Sequence, residues 1–180
     1  MRYAIIPAKY VDHNTQVAAH RALAFARKDL RLPDIQIKWF VHDYQAKGIP
    51  EAEYFDAAEY FGDNRPILGM YDPCQPTQIQ IMAMQLEENI QKAVLHEVFH
   101  VNQRFKGSCI GNKEAFSSPY AEDALKRMKA MPSHDLDEIF LDHMAGKDWS
   151  DVARKTEAKP SARNGADGRS TPINVRKTYY

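Results

Sequence analysis

Between Glu87 and Phe105, Ile90, Ala93, Val94, Val98, Val101 and Phe105 recur at helical spacing, and off that stripe stand His96, Glu97 and His100. The pattern predicts an amphipathic helix ended by Gly107. Residues four apart on a helix share a face, so the two imidazoles can be aimed at one point, as a Zn²⁺ ion requires. Glu97 is turned by about 100° from His96, which sets its carboxylate beside that point. It can take a proton from a zinc-bound water and pass it to a leaving amine. Gln103 falls one turn beyond His100 on nearly the same face, as a residue lining a cleft or supporting a ligand would.

The flanking sequence predicts a supporting α+β architecture. Val17, Ala18, Ala22 and Phe25 mark a first helix over Asn14 to Leu30, with Asn14 as its N-cap. After Pro33 the run Ile35 to Val41 alternates as a strand, with Ile35, Ile37, Trp39 and Val41 inward. Residues Pro50 to Gly62 read as a short helix or covering loop. Pro66 to Tyr71 and Thr77 to Met82 read as a hairpin-like pair around Asp72-Pro73-Cys74-Gln75-Pro76, with Gln78 and Gln80 on one face and Ile79 and Ile81 on the other. Beyond the motif, Ser117-Ser118-Pro119 opens a helix to about Ala130, and Asp135 to Ala145 forms another, stopped by Gly146.

A chain of 180 residues with 44% hydrophobic content can bury one core. We expect a single domain over residues 1–146 and a largely disordered tail over 147–180. Lys147 to Tyr180 contains eight Lys or Arg against four Asp or Glu. A tail of that kind is usually just solvated, and nucleic-acid contact is its minor alternative. The formal net charge of zero gives the whole molecule no general pull on nucleic acid or anionic lipid. Met1 to Pro7 lacks the long apolar region of a signal peptide, and no segment offers the roughly 20 apolar residues of a membrane span, so a cytoplasmic protein is expected. Cys74 and Cys109 form no CxxC pair and read as free thiols, with a minor metal role open to Cys109.

With HExxH on one helix and acids on the next, the segment Ile35 to Met131 resembles the zincin metallopeptidases, and among them the small single-domain gluzincin-like group (minigluzincins). The metzincin branch does not fit, because Gln103 stands where its Gly is required and no third histidine of that kind follows. The resemblance implies a zincin-like fold, in which a small twisted, mostly antiparallel or mixed sheet packs on an N-terminal helix and the HExxH helix. Thr77 to Met82 would be the edge strand that aligns a substrate backbone. It also implies one Zn²⁺ held by His96, His100 and a Glu of the following helix. Glu122 in Ser118-Pro119-Tyr120-Ala121-Glu122-Asp123 is the first choice for that ligand, with Asp123 and Glu114 as alternatives; an acid in a helix's first turn also suits the helix dipole without any metal. Tyr120 would donate to a developing oxyanion, a role open also to His134 and His143. The implied activity is peptide-bond hydrolysis with Glu97 as general base and then acid, on a protein or peptide substrate. The alternative is a non-enzymatic interaction or assembly protein on the same fold, with structural zinc or none.

Overall fold

The computed structural model describes residues 1–61, 66–107, 114–145 and 147, with the side chains of residues 60, 61, 114 and 115 outside the description. In chain order the elements are β1 (Arg2–Ile6), α1 (His13–Leu30), β2 (Gln36–His42), β3 (Glu53–Asp56), α2 (Ala57–Phe61), β4 (Gly69–Tyr71), β5 (Gln78–Met82), α3 (Glu87–Phe105), α4 (Glu114–Ala130) and α5 (Ser133–Met144). The tail from residue 148 onward, like Cys109, lies outside the described residues. Among the described residues no helix is long and apolar enough to cross a membrane.

The strands form one mixed sheet in the order β3-β1-β2-β5-β4. β2 and β5 run parallel, and every other pairing is antiparallel. This corrects one expectation from the sequence. β5 is an inner strand, flanked by β2 and β4, and among the described residues the edge on that side belongs to β4, whose Gly69 pairs with Ile81 and Tyr71 with Ile79. The hairpin itself and the separation of Ile79 and Ile81 from Gln80 hold as read.

Alternation divides the sheet into two buried faces. Ala4, Ile6, Trp39, Val41, Ile79 and Ile81 join the core formed with α1, α3 and α4, and Ile37 packs against it. Tyr3, Phe40 and Met82 lie on the opposite face, with Ala57 over them and Ile5, Phe55 and Ile67 packed alongside. The Tyr3 hydroxyl there accepts a hydrogen bond from the Ile67 amide at 3.1 Å. Two strands escaped the sequence reading, β1 and β3. β1 offers only a short apolar run, and in β3 the aromatic residues stand between two acids.

The first helix begins at His13, not Asn14, because the Asp12 side chain accepts a hydrogen bond from the Thr15 amide and caps it. α3 spans the predicted Glu87–Phe105, and Gly107 beyond it takes a positive φ of 69°. α4 starts at Glu114, a turn earlier than Ser117, and so encloses Pro119. α5 starts at Ser133 and ends at Met144. Lys147 remains tied to the domain through Asp34 at 2.8 Å.

α3 is the element around which the others assemble, packing on α1, α4, β4 and β5. Leu95, Val94, Val98 and Val101 are fully buried within it. Leu95 adjoins His96, and truncating it leaves a cavity at the centre of the core. We expect Leu95→Ala to lose about 2–5 kcal/mol of unfolding free energy in urea denaturation.

Candidate metal and catalytic site

α3 carries the motif in the space between the β4 edge and α4. Since Gly69 and Tyr71 pair with Ile81 and Ile79, they belong to the sheet face that meets the helices. Gly69 accordingly lies against Glu97, and the Tyr71 ring stacks on His100 with centroids 6.4 Å apart and planes 9° apart. From the other side, α4 brings Ser117 and Ser118 to His96. Glu97 and His100 are buried, and His96 is half-buried.

The two imidazoles converge. His96 Nε2 and His100 Nε2 are 3.1 Å apart. Two nitrogens on a tetrahedral zinc, each about 2.0–2.1 Å from the metal, are separated by about 3.3 Å. Gln103 Oε1 lies 3.2 Å from His100 Nδ1, and an amide oxygen can only accept. With that oxygen accepting, a neutral His100 carries its proton on Nδ1 and leaves the Nε2 lone pair on the side of His96. This is the tautomer that a metal-ligating histidine needs. Ser117 Oγ approaches His96 Nε2 at 3.2 Å and Ser118 Oγ approaches Nδ1 at 3.4 Å, so hydroxyls orient the second ring. The donor set at this point thus fits a divalent metal of the zinc type, with two of the ligands such an ion takes. Among the described residues no group of three His, Cys, Asp or Glu comes together.

Glu122, Asp123 and Tyr120 on α4 are engaged with other partners. Glu122 receives a hydrogen bond from Lys92 Nζ at 2.9 Å, its side chain is 58% exposed, and Lys92 holds its carboxyl below the usual carboxylate range. Asp123 is exposed and accepts from Arg127 Nε at 2.8 Å. The third alternative, Glu114, opens α4, and its side chain is outside the description.

Tyr120, expected as an oxyanion donor, is engaged between helices. Its ring stacks on Phe99, and its hydroxyl donates to Asp29 of α1 at 3.1 Å. Burial, together with the neighbouring Asp29, pushes the phenol well above its ordinary pKa. This hydroxyl belongs to a clasp between α1 and α4 in which Arg127 donates two hydrogen bonds to the Asp29 carboxylate, at 2.7 and 2.9 Å. His134 is exposed beside Asp135. His143 lies between Arg27 and Lys147, and burial, followed by those two cations, pulls its pKa down to about 3. Neither histidine is bonded to the pair on α3.

Tyr71, Ser117, Ser118 and Gly69 enter the site without having been read from the sequence as parts of it. Ser117 and Ser118 were legible only as a helix start, and Tyr71 only as a strand residue. The Tyr71 hydroxyl is buried without a hydrogen-bond partner among the described residues, and burial raises its pKa. A polar atom left unsatisfied beside His100 costs stability unless something binds there.

The clasp yields a pH prediction. Arg127 holds Asp29 below the ordinary carboxylate range, so Asp29 stays ionised in the folded chain at pH values where the unfolded chain protonates it. Its stabilisation is complete at neutral pH and is lost as pH falls below about 4. Asp29→Asn should cost about 1 kcal/mol at pH 7, with the difference from wild type shrinking on acidification, as read by urea denaturation at several pH values.

Comparison with protein-family models, with characterised proteins and with solved structures finds no match to this chain.

Proposed function

We propose that the chain is a zinc-dependent metallopeptidase of zincin-like architecture that acts on a protein or peptide substrate in the cytoplasm. The observation that carries this reading is the convergence of His96 and His100 at 3.1 Å, with Gln103 fixing the His100 tautomer and Glu97 buried beside the sheet edge. A buried carboxylate next to the two histidines is the general base that a catalytic site needs in addition to its ligands.

For the third ligand, the pairing of α3 with α4 favours Glu114 over Glu122. Glu88 meets Lys129, Lys92 meets Glu122, and His96 meets Ser118, so partners descend α4 as α3 ascends. One further turn of α3 reaches His100, and the level of α4 that follows Ser118 in this series is that of Glu114. Glu122 stands at the level of Lys92 and is held there by its ammonium. Gln103 would steady His100, and Ser117 and Ser118 would steady His96.

When bound, zinc supplies Lewis acidity toward a carbonyl oxygen and lowers the pKa of water. The chain's own residues do the rest. Glu97 accepts the proton of the attacking water and delivers it to the departing amine. As an edge strand among the described residues, β4 offers a backbone ladder to an extended peptide. Glu97, walled in by β4, performs the transfer away from bulk water.

Metal analysis and a peptide-library screen on matched variants test this reading. His96→Ala, His100→Ala and Glu114→Ala should lose zinc, whereas Glu122→Ala should keep it. Gln103→Leu should weaken zinc affinity about 10-fold or more. Glu97→Gln should keep zinc and lower cleavage by about 10²–10⁴-fold. Full zinc occupancy without any Glu97-dependent cleavage would instead favour an interaction or assembly protein on this fold.

A further inference from the structure

We propose that Gly69 is a positioning residue for Glu97, present because any side chain there would occupy the space that the carboxylate needs. Two reasons for a glycine compete at such a place, backbone conformation and room, and the structure separates them. The positive-φ glycines among the described residues are Gly48 and Gly107, so the backbone of Gly69 is one that alanine adopts without strain. Room is the remaining reason. A Cβ on Gly69 would stand 2.8 Å from Glu97 Cγ, 2.8 Å from Glu97 Oε1 and 3.2 Å from Glu97 Cδ. Its three nearest neighbours are all atoms of one side chain.

The strand does not require small residues as a rule, since Tyr71, on the same face, carries a full ring against His100. The two strand positions thus do different work against the two motif residues. Tyr71 fills the space over the histidine, and Gly69 leaves its space to the acid. Glu97 is buried, so a methyl group at position 69 would have to turn the carboxylate out of its place or push β4 off α3.

The catalytic consequence rests on the proposed peptidase activity, but the steric claim does not, and a double-mutant cycle on the metal-free protein isolates it. Gly69→Ala is made in three backgrounds: wild type, Glu97→Gln and Glu97→Ala. The glutamine keeps the crowded Cγ and one terminal oxygen, and the alanine removes both. We expect Gly69→Ala to lower Tm by about 2–8 °C in the wild-type and Glu97→Gln backgrounds and to have little or no effect in Glu97→Ala. Equal shifts in all three, or none in any, would overturn the proposal. In the zinc-loaded protein, Gly69→Ala should retain the metal and lower kcat about 10-fold or more with KM little changed, because the base and not the binding edge has moved. If the library reveals no Glu97-dependent cleavage, the peptidase reading fails while the stability cycle still decides the role of Gly69.

Discussion

The structure depends on α3 being covered on nearly all sides. A helix with one wet face could carry HExxH as two surface histidines, but here β4 lies over Glu97 and His100 while α4 closes on His96. Buried polar side chains must find partners, and the partners found set the chemistry. Gln103 fixes a tautomer, two serines orient the neighbouring ring, and the acid is held against the sheet edge. The apolar stripe behind them, from Ile90 to Val101, anchors this polar face to the sheet and to α1. Core and site are therefore two sides of one helix.

The elements legible in the sequence were those whose burial is one-sided or whose ends carry caps and breakers. α3 declared itself by its stripe and its terminal glycine, and α1, β2 and the β4–β5 hairpin by period and punctuation. β1 and β3 did not, since the apolar run of β1 is short and the exposed edge strand β3 sets its two aromatic residues between acids, so neither shows a period of two. In β2, Phe40 is as buried as Trp39 and Val41, so the inward set of alternate residues was right and still incomplete. Strand order is a property of long-range pairing. Nothing local in Thr77 to Met82 distinguishes an inner strand from an edge.

The site divides along the same line. His96, Glu97 and His100 lie within five residues on one helix, where spacing alone implies geometry. The residues from other elements were either unread or given another role, because their part depends on how α4 and β4 approach α3. Tyr120 shows how little residue type alone says there. A tyrosine near a motif suits an oxyanion donor, but Phe99 stacks on its ring and Asp29 takes its hydroxyl, so it joins helices. The acids of α4 are sorted in the same way, by the cations facing them: Lys92 holds Glu122, and Arg127 holds Asp123.

The length of β4 has a consequence for self-association. An open sheet edge invites a second chain to continue the ladder, and such edges seed aggregation when they are long and apolar. This one extends over three residues, Gly69 to Tyr71, and the opposite edge, Glu53 to Asp56, begins and ends with an acid. An arriving strand could form only a few backbone hydrogen bonds with β4 before running past it. Among the described residues the sheet thus keeps an edge strand beside the motif of α3 without offering neighbouring copies a template long enough to polymerise on.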